Sequence, residues 1–423
     1  MSYKYIIIYV MYIIMSGDYE DDCFIDWTGD IFNNRYIMIS KLGHGSFSSV
    51  WLSYDHTQNK YVAIKIFNSC DYDDGKKELA IYDEVKKLNI INTMTYIDSF
   101  EHKDEDDIYL CMVMNLMGCS VYNLIRNKVP IGIPNIVHIV KNVLLTIDKM
   151  HDNKFIHTDI KPENILIDKL PKHIVDKCNE INTLFQCTNK KKKKAVKHIS
   201  ECSRLAKEKY INNNEDDSNS STNVELISNN ISSSFVFDST TSIYVVDLGT
   251  CLLPEDERNK CIQTRYYRAP EVLLELKYQE NVDIWSLGCA IYEMMTGEIL
   301  FDPDDTQTNI DKEHLYTISS KLGHIPEHMI NQSVNCEMFF TKDKKRYRGY
   351  ESINYDSVIK KMLKTIVDDT DSNKIQAMYL IDLTMQMLVI DPDKRITAKK
   401  ALHHELFTNV TSYDHSEGHS LKN

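Results

Sequence analysis

Eight consecutive residues, His157-Thr158-Asp159-Ile160-Lys161-Pro162-Glu163-Asn164, constrain this chain more than any other feature. They follow the amphipathic run IVHIVKNVLLTIDKMH, whose apolar residues recur at helical spacing, and they precede the apolar strand-like run ILI. Chance assembly of such a string is negligible. Further on, the run IYVVDLG ends a strand in Asp247-Leu248-Gly249, and the segment that begins there closes at Ala269-Pro270-Glu271.

The first third of the chain supplies partners for this string. KLGHGSFSSV reads as strand, tight turn, strand, with Gly43 and Gly45 where a backbone must come close to a ligand without a Cβ in the way. Ser48 stands where a third glycine would complete G-x-G-x-x-G. Val62-Ala63-Ile64-Lys65 is a strand that puts one ammonium into apolar surroundings, and a buried lysine is costly unless it is paired with anions. The helical stretch KKELAIYDEVKKLN offers the carboxylate: Glu84 is the expected partner, with Asp83, one position round the helix, as the surface alternative.

Along the chain, short β-rich runs (YIMISKLG, SSVWLSYD, YVAIKIF, IYLCMVMNL) with one helix give way after Ile136 to amphipathic helices, including VDIWSLGCAIYEMMTG and KIQAMYLIDLTMQML. The pattern predicts an α+β chain in two lobes, a small antiparallel sheet with one helix and a larger, mainly α-helical lobe. The expected division is an N-terminal extension over 1–35, a domain over 36–407 (lobes 36–117 and 118–407), and a tail over 408–423. An insert over 169–242, with Lys190 to Lys194 in a row and then NNNEDDSNSSTN, is expected to be disordered. A formal net charge of −13 argues against a direct nucleic-acid binder and suits a basic protein partner. The eleven cysteines form no C-x-x-C pair, which points to neither a disulfide framework nor a zinc site and favours a reducing compartment, cytoplasm or nucleus. Tyr5 to Met15 is apolar but too short to span a bilayer as a helix, and no A-x-A-like cleavage site follows it.

These motifs together resemble the eukaryotic-type protein kinases: Gly43 to Val50, Lys65, a helix carboxylate, HTDIKPEN, DLG, APE, DIWSLG and DPDKR, over about residues 36 to 407. The resemblance implies ATP and Mg²⁺ as cofactors, with ATP in the cleft between two lobes. It assigns Asp159 as acceptor of the substrate hydroxyl proton, Lys161 to the γ-phosphate, and Thr264 beside the aspartate in the serine/threonine pattern. Asn164 and Asp247 become metal ligands, and Lys65 with Glu84 meets the α- and β-phosphates. Leu42, Gly43, Gly45, Ser46, Val50 and Ala63 would enclose the nucleotide, Met114 would be the gatekeeper, and Asn115 to Met117 the hinge. Asp283 would anchor the catalytic loop and Arg395 would pair with Glu271, both as structural residues. A pseudokinase scaffold is the rival from another class, and it is opposed by the presence of Lys65, Asp159, Asn164 and Asp247.

Arg268 within TRYYRAPE looks like the CMGC group. HTD in place of HRD, the stretch KLGHGSFSSVWLSYDH, the polar insert and FFTKDKK resemble the SR-protein kinases; KEHLYTISSKLG is shared with LAMMER-type kinases, the nearest competitor. Either resemblance implies Arg/Ser-rich protein substrates, met by a monomer with no transmembrane span. Glu298 and Glu313 match two acidic docking positions of the SR-protein kinases, whereas Ser320 and Lys321 depart from the third; as ordinary surface residues the two glutamates would be exposed at helix ends. With Thr158 where arginine usually stands and Cys261 where related kinases carry a phosphorylated tyrosine, the segment from Asp247 to Glu271 is expected to be held by packing and by Arg268 on backbone carbonyls, without phosphate.

Overall fold

The computed structural model describes residues 25–45, 47–172, 174–176, 178–179, 237–304, 309–341, 357–366 and 369–408. The apolar segment Tyr5 to Met15, Ser46, Lys190 to Lys194 and most of the tail lie outside the described residues. The chain divides into two compact units, one formed by residues up to 87, 94–119 and 169–235, the other by 88–93, 120–168 and 236–423.

The small unit is built on a six-stranded antiparallel sheet of β1 (Ile31–Phe32), β2 (Tyr36–His44), β3 (Ser48–Asp55), β4 (Lys60–Phe67), β5 (Tyr96–Asp104) and β6 (Asp107–Asn115), in the order β1-β2-β3-β4-β6-β5. Alternation along the strands gives the sheet two different faces. One carries Trp51, Val62, Ile64, Ile66, Cys111 and Val113, packed with Trp27, Phe32, Tyr36 and Tyr109. Residues upstream of Tyr36 therefore belong to the core: the Trp27 and Phe32 rings meet edge-on at 5.1 Å, and Phe32 stacks on His102 at 3.6 Å. The opposite face carries Val50, Ala63, Lys65, Met112 and Met114, because the register sets Val50 against Lys65, Lys65 against Met112 and Ala63 against Met114. Helix α1 (Tyr72–Lys87) lies on this side: a Cβ at Gly75 would stand 2.8 Å from the Phe67 ring and 2.9 Å from Leu110, so the glycine permits the close approach.

The expected disordered insert is corrected at its start. The described residues of 169–179 belong to the small unit, where Ile174 and Cys178 are buried and the Tyr61 hydroxyl donates to the Cys178 carbonyl at 2.7 Å. Two apolar side chains four residues apart bury one helical stripe, which the polar composition downstream concealed.

The larger unit is mainly helical. Short α2 (Val121–Arg126) begins with a capping box at Ser120, and α3 (Ile133–Asp152) buries ten residues at helical spacing, among them Ile136, Val140, Val143, Leu144 and Ile147. A two-stranded ladder, β7 (Ile165–Ile167) with β8 (Ile243–Val245), follows the HTDIKPEN loop. Then come α4 (Pro270–Leu273) and α5 (Val282–Thr296), the latter buried almost all round and closed by Gly297 in the left-handed conformation. The rest is α6 (Ile310–Leu322), α7 (Glu327–Gln332), α8 (Cys336–Phe339), α9 (Val358–Lys364), α10 (Asp371–Met387), α11 (Ala398–Leu402) and α12 (Glu405–Thr408). Among the described residues no helix is long and apolar enough to cross a membrane.

Candidate active site

In the small unit the lysine finds a different carboxylate from the one expected. The Lys65 ammonium lies 2.8 Å from both oxygens of Glu78, and the two side chains are 13% and 4% exposed. Glu84 points to solvent and pairs with Lys87. The helix face decides this: Gly75, Glu78, Ile81, Tyr82 and Val85 are the buried residues of α1, and Glu78 is the one carboxylate on that stripe. Glu84, six residues further on, is turned about 240° away.

The other residues expected around a nucleotide collect on the same side of the sheet. Val50, Ala63 and Met114 share Lys65's face, Leu42 packs against the cluster of Ile37, Ile39, Leu52 and Tyr54, and Asn115 to Met117 leave the end of β6. The β2–β3 turn closes with the Gly45 amide donating to the Ser48 carbonyl at 2.8 Å. Among the described residues, a Cβ added at Gly43 or Gly45 would meet nothing within 4 Å, so the strand ends border open space there. Phe47, at the tip, is 57% exposed.

In the larger unit the HTDIKPEN loop is fixed from below by Asp283 of α5, whose carboxylate is fully buried. It accepts the amides of His157 (2.8 Å) and Thr158 (2.9 Å), and it lies 2.9 Å from the His151 imidazole. His157 in turn lies 3.2 Å from the Val246 carbonyl and accepts the Asp159 amide on Nδ1. Asp159 is the hub above this base. Oδ1 accepts the Thr264 hydroxyl at 2.7 Å and its amide at 3.2 Å, while Oδ2 lies 2.8 Å from the Lys161 ammonium and accepts the Asn164 amide group at 3.0 Å. Lys161 also donates to the Thr264 hydroxyl at 2.9 Å. Asp159, Lys161, Asn164 and Thr264 thus come together as the sequence predicted.

The β7–β8 ladder brings in Asp247. Ile165 faces Val245, and the Val246 amide donates to the Asn164 carbonyl at 3.0 Å, so Asn164 and Asp247 leave adjacent ends of two paired strands. Asp247 turns there with φ of +66°, in the left-handed region that aspartate tolerates better than most residues.

The segment after Asp247 is ordered by internal bonds. Arg268 donates to the carbonyls of Ile262 (3.0 Å) and Gln263 (2.9 Å), as expected of it. Sequence reasoning missed Gln263 itself. Buried, with φ of +68°, its side-chain amide donates to Val282 (2.9 Å) and Ser286 (2.8 Å) and accepts the Ala269 amide (2.9 Å), tying the loop to α5. A glutamine beside a charged string gives no signal in a sequence, since its role depends on where α5 passes. Tyr267 is buried with its hydroxyl on Glu293 at 2.6 Å, and Tyr266 stays partly exposed. Arg395 meets Glu271 through both nitrogens, at 2.6 and 2.9 Å, as expected. The two docking candidates part company: Glu298 is exposed and 3.5 Å from Lys361, whereas Glu313, expected at the surface, is buried in the first turn of α6.

Residues 36–177 and 230–407 match the protein kinase domain family. Similar curated proteins include the dual specificity protein kinase lkh1 of Schizosaccharomyces pombe, 28% identical over 397 residues that cover 90% of this chain and 48% of that protein. The human dual specificity protein kinase CLK2 is 27% identical over 404 residues, covering 92% of this chain and 68% of its own length. The serine/threonine-protein kinase SRPK of Physarum polycephalum is 28% identical over 408 residues, covering 91% and 88%. The chain thus spans about half of the fission yeast relative and more of the other two. With the domain match reaching across most of its length and through every motif of the site, the chain belongs to the protein kinase family.

Proposed function

We propose that this kinase transfers the γ-phosphoryl group of ATP to serine or threonine hydroxyls of protein substrates. The observation that carries the reading is the network in which Asp159 is bonded at once by Thr264, Lys161 and Asn164. A carboxylate so held is oriented toward one position, where it can accept the proton of an incoming hydroxyl as that oxygen attacks phosphorus. Lys161, 2.8 Å from this base, carries the positive charge that a γ-phosphate would meet beside it. The pairing of Lys161 with Thr264 supports a serine or threonine acceptor.

The residues present fit a nucleotide with Mg²⁺. Open space at Gly43 and Gly45 leaves room for phosphates, and Lys65 of the same sheet face supplies a cation for them. Asn164 spends its amide nitrogen on Asp159, which directs its oxygen elsewhere, and Asp247 stands at the neighbouring strand end. One amide oxygen and one carboxylate are hard donors suited to Mg²⁺ yet too few to enclose it, so phosphate and water would complete the shell. When bound, such an ion neutralises charge on the β- and γ-phosphates.

The substrate class we propose is Arg/Ser-rich protein, approached by a monomer in the cytoplasm or nucleus. A net charge of −13 supports a basic partner, as do the resemblance to SR-protein kinases and a relative named SRPK. The burial of Glu313 leaves Glu298 as the surface member of the docking pair. Arg268 and Gln263 hold the segment without phosphate, which supports activity in protein made in bacteria and indifference to phosphatase.

The test is phosphoryl transfer from Mg·ATP to an Arg/Ser-rich peptide and to an acidic serine peptide. Transfer should favour the first and fall by about 10²-fold or more in Asp159→Asn and Asp247→Asn while both variants stay folded. Near-normal turnover in either removes that residue from its role, and mainly phosphotyrosine in the products would overturn the acceptor assignment.

A further inference from the structure

Thr158 occupies a conformation that its own side chain resists. Its φ is +71°, in the left-handed region that β-branched residues rarely adopt. Such strain persists only where the surroundings over-determine the backbone. Here the Thr158 amide is held by Asp283, and the residue is 1% exposed. Its hydroxyl lies 2.8 Å from the Thr250 carbonyl and 2.9 Å from the Thr250 hydroxyl.

One hydroxyl proton cannot serve both distances. The pair is satisfied when Thr158 donates to the Thr250 carbonyl and Thr250 donates back to Thr158 Oγ1, a closed ring using each donor once. Backbone pairing places the two threonines: Ile156 and Leu252 exchange both amide–carbonyl bonds, at 3.0 and 2.8 Å. The residues flanking the pair are the ones on which the proposed chemistry depends. Asp159 follows Thr158 directly, and Asp247 immediately precedes the short turn that carries Thr250, closed by the Cys251 amide donating to the Leu248 carbonyl at 3.0 Å.

We propose that Thr158 and Thr250 form a hydroxyl latch between the loop bearing Asp159 and the turn bearing Asp247, positioning the two carboxylates relative to one another without a phosphate. The proposal rests on the reading of Asp159 as base and Asp247 as metal ligand. A hydroxyl is what the site requires, since an apolar isostere would leave the Thr250 carbonyl without its donor. Both residues are positioning residues, with no contact to the transferred group implied.

The experiment compares Thr158→Val, Thr158→Ser, Thr250→Val and the Thr158→Val/Thr250→Val double variant of the full chain. Readouts are kcat, KM for ATP, the Mg²⁺ concentration giving half-maximal rate, and the thermal midpoint. Thr158→Val should lower kcat about tenfold and raise the Mg²⁺ requirement, as expected of losing one buried hydrogen bond. Thr158→Ser, which keeps the hydroxyl, should restore both values. Thr250→Val, which keeps its carbonyl, should lie between, and the double variant should cost no more than Thr158→Val alone. Wild-type kcat and Mg²⁺ dependence in a folded Thr158→Val, or a serine variant as impaired as the valine one, overturns the latch. If Thr158→Val does not fold, wild-type kcat and Mg²⁺ requirement in a folded Thr250→Val overturn it as well. Asp159→Asn and Asp247→Asn, run alongside, separate failure of the latch from failure of the underlying reading.

Discussion

Among the described residues, one ion pair of each unit joins side chains from separate elements, and the two pairs are built differently. Glu271 and Arg395 of the larger unit are 1% and 0% exposed. The guanidinium binds both carboxylate oxygens, donates to the carbonyls of Val389 (2.9 Å) and Asn281 (3.0 Å), and lies over the Trp285 ring. Lys65 and Glu78 of the small unit meet through an ammonium, a compact charge with three rotatable donors, and the lysine stays 13% exposed. A forked cation spent wholly inside the protein serves the fold. A point charge at the rim of open space can be shared with an arriving anion. Geometry and exposure therefore set the two pairs apart.

Arg395→Met tests the first half of this contrast and should have the largest effect. It leaves Glu271 buried without its cation, at a cost of about 3–5 kcal/mol measured by urea unfolding, with part of the loss recovered in Glu271→Leu/Arg395→Met. A loss below about 1 kcal/mol would erase the distinction. Glu78→Gln tests the second half. It should lower kcat/KM about 10²-fold, the equivalent of about 3 kcal/mol, with little change in unfolding, while Glu84→Gln stays within about twofold. Equal effects would return the role to Glu84.

The smallest effect belongs to an ion pair at the edge of the sheet. Burial by itself would push the Asp55 carboxyl up, but the Arg35 guanidinium, 2.7 Å away, with the Thr57 hydroxyl and the Gln58 and Thr57 amides, holds it at about 2. A folded value below the unfolded one gives stability that is present above the ordinary carboxylate range and is lost as pH falls toward about 2. Arg35→Ala should remove about 1 kcal/mol at neutral pH and flatten that acid dependence, seen as unfolding midpoints of variant and wild type that converge as pH falls toward about 2. Parallel midpoints across that range would show that Arg35 does not set Asp55.

The larger unit's site was legible because its chemistry is contiguous. Asp159, Lys161 and Asn164 lie within one loop, and the spacing to Asp247 and Glu271 carried the rest. Glu78 was legible too, but only from the helix face: Gly75, Glu78, Ile81, Tyr82 and Val85 form a stripe at helical spacing, and its polar member is the answer. Weighing Glu84 against its neighbour Asp83 compared two residues that both lie off that buried stripe: Glu84 pairs with Lys87, and Asp83 accepts the Tyr96 hydroxyl at 2.7 Å. Glu313 is a related case, since it is buried beside His314 and Leu315 on a helix whose preceding residues Ile310 to Lys312 are only partly covered. Gln263 and the pairing of Thr158 with Thr250 depend on how separate segments meet in space, which spacing along one chain does not encode.

The strand Ile31–Phe32 is only two residues long, yet it pairs with the start of β2's outer edge while Phe32 stacks on His102 and Trp27 meets Tyr109 at 5.3 Å. A protein shortened to begin at Tyr36 would keep every residue of the proposed site and still lose this cover. It would present an unpaired β-edge beside an uncovered aromatic surface, the combination that recruits a second chain and precipitates. Solubility of such a fragment is thus set by residues that take no part in its chemistry.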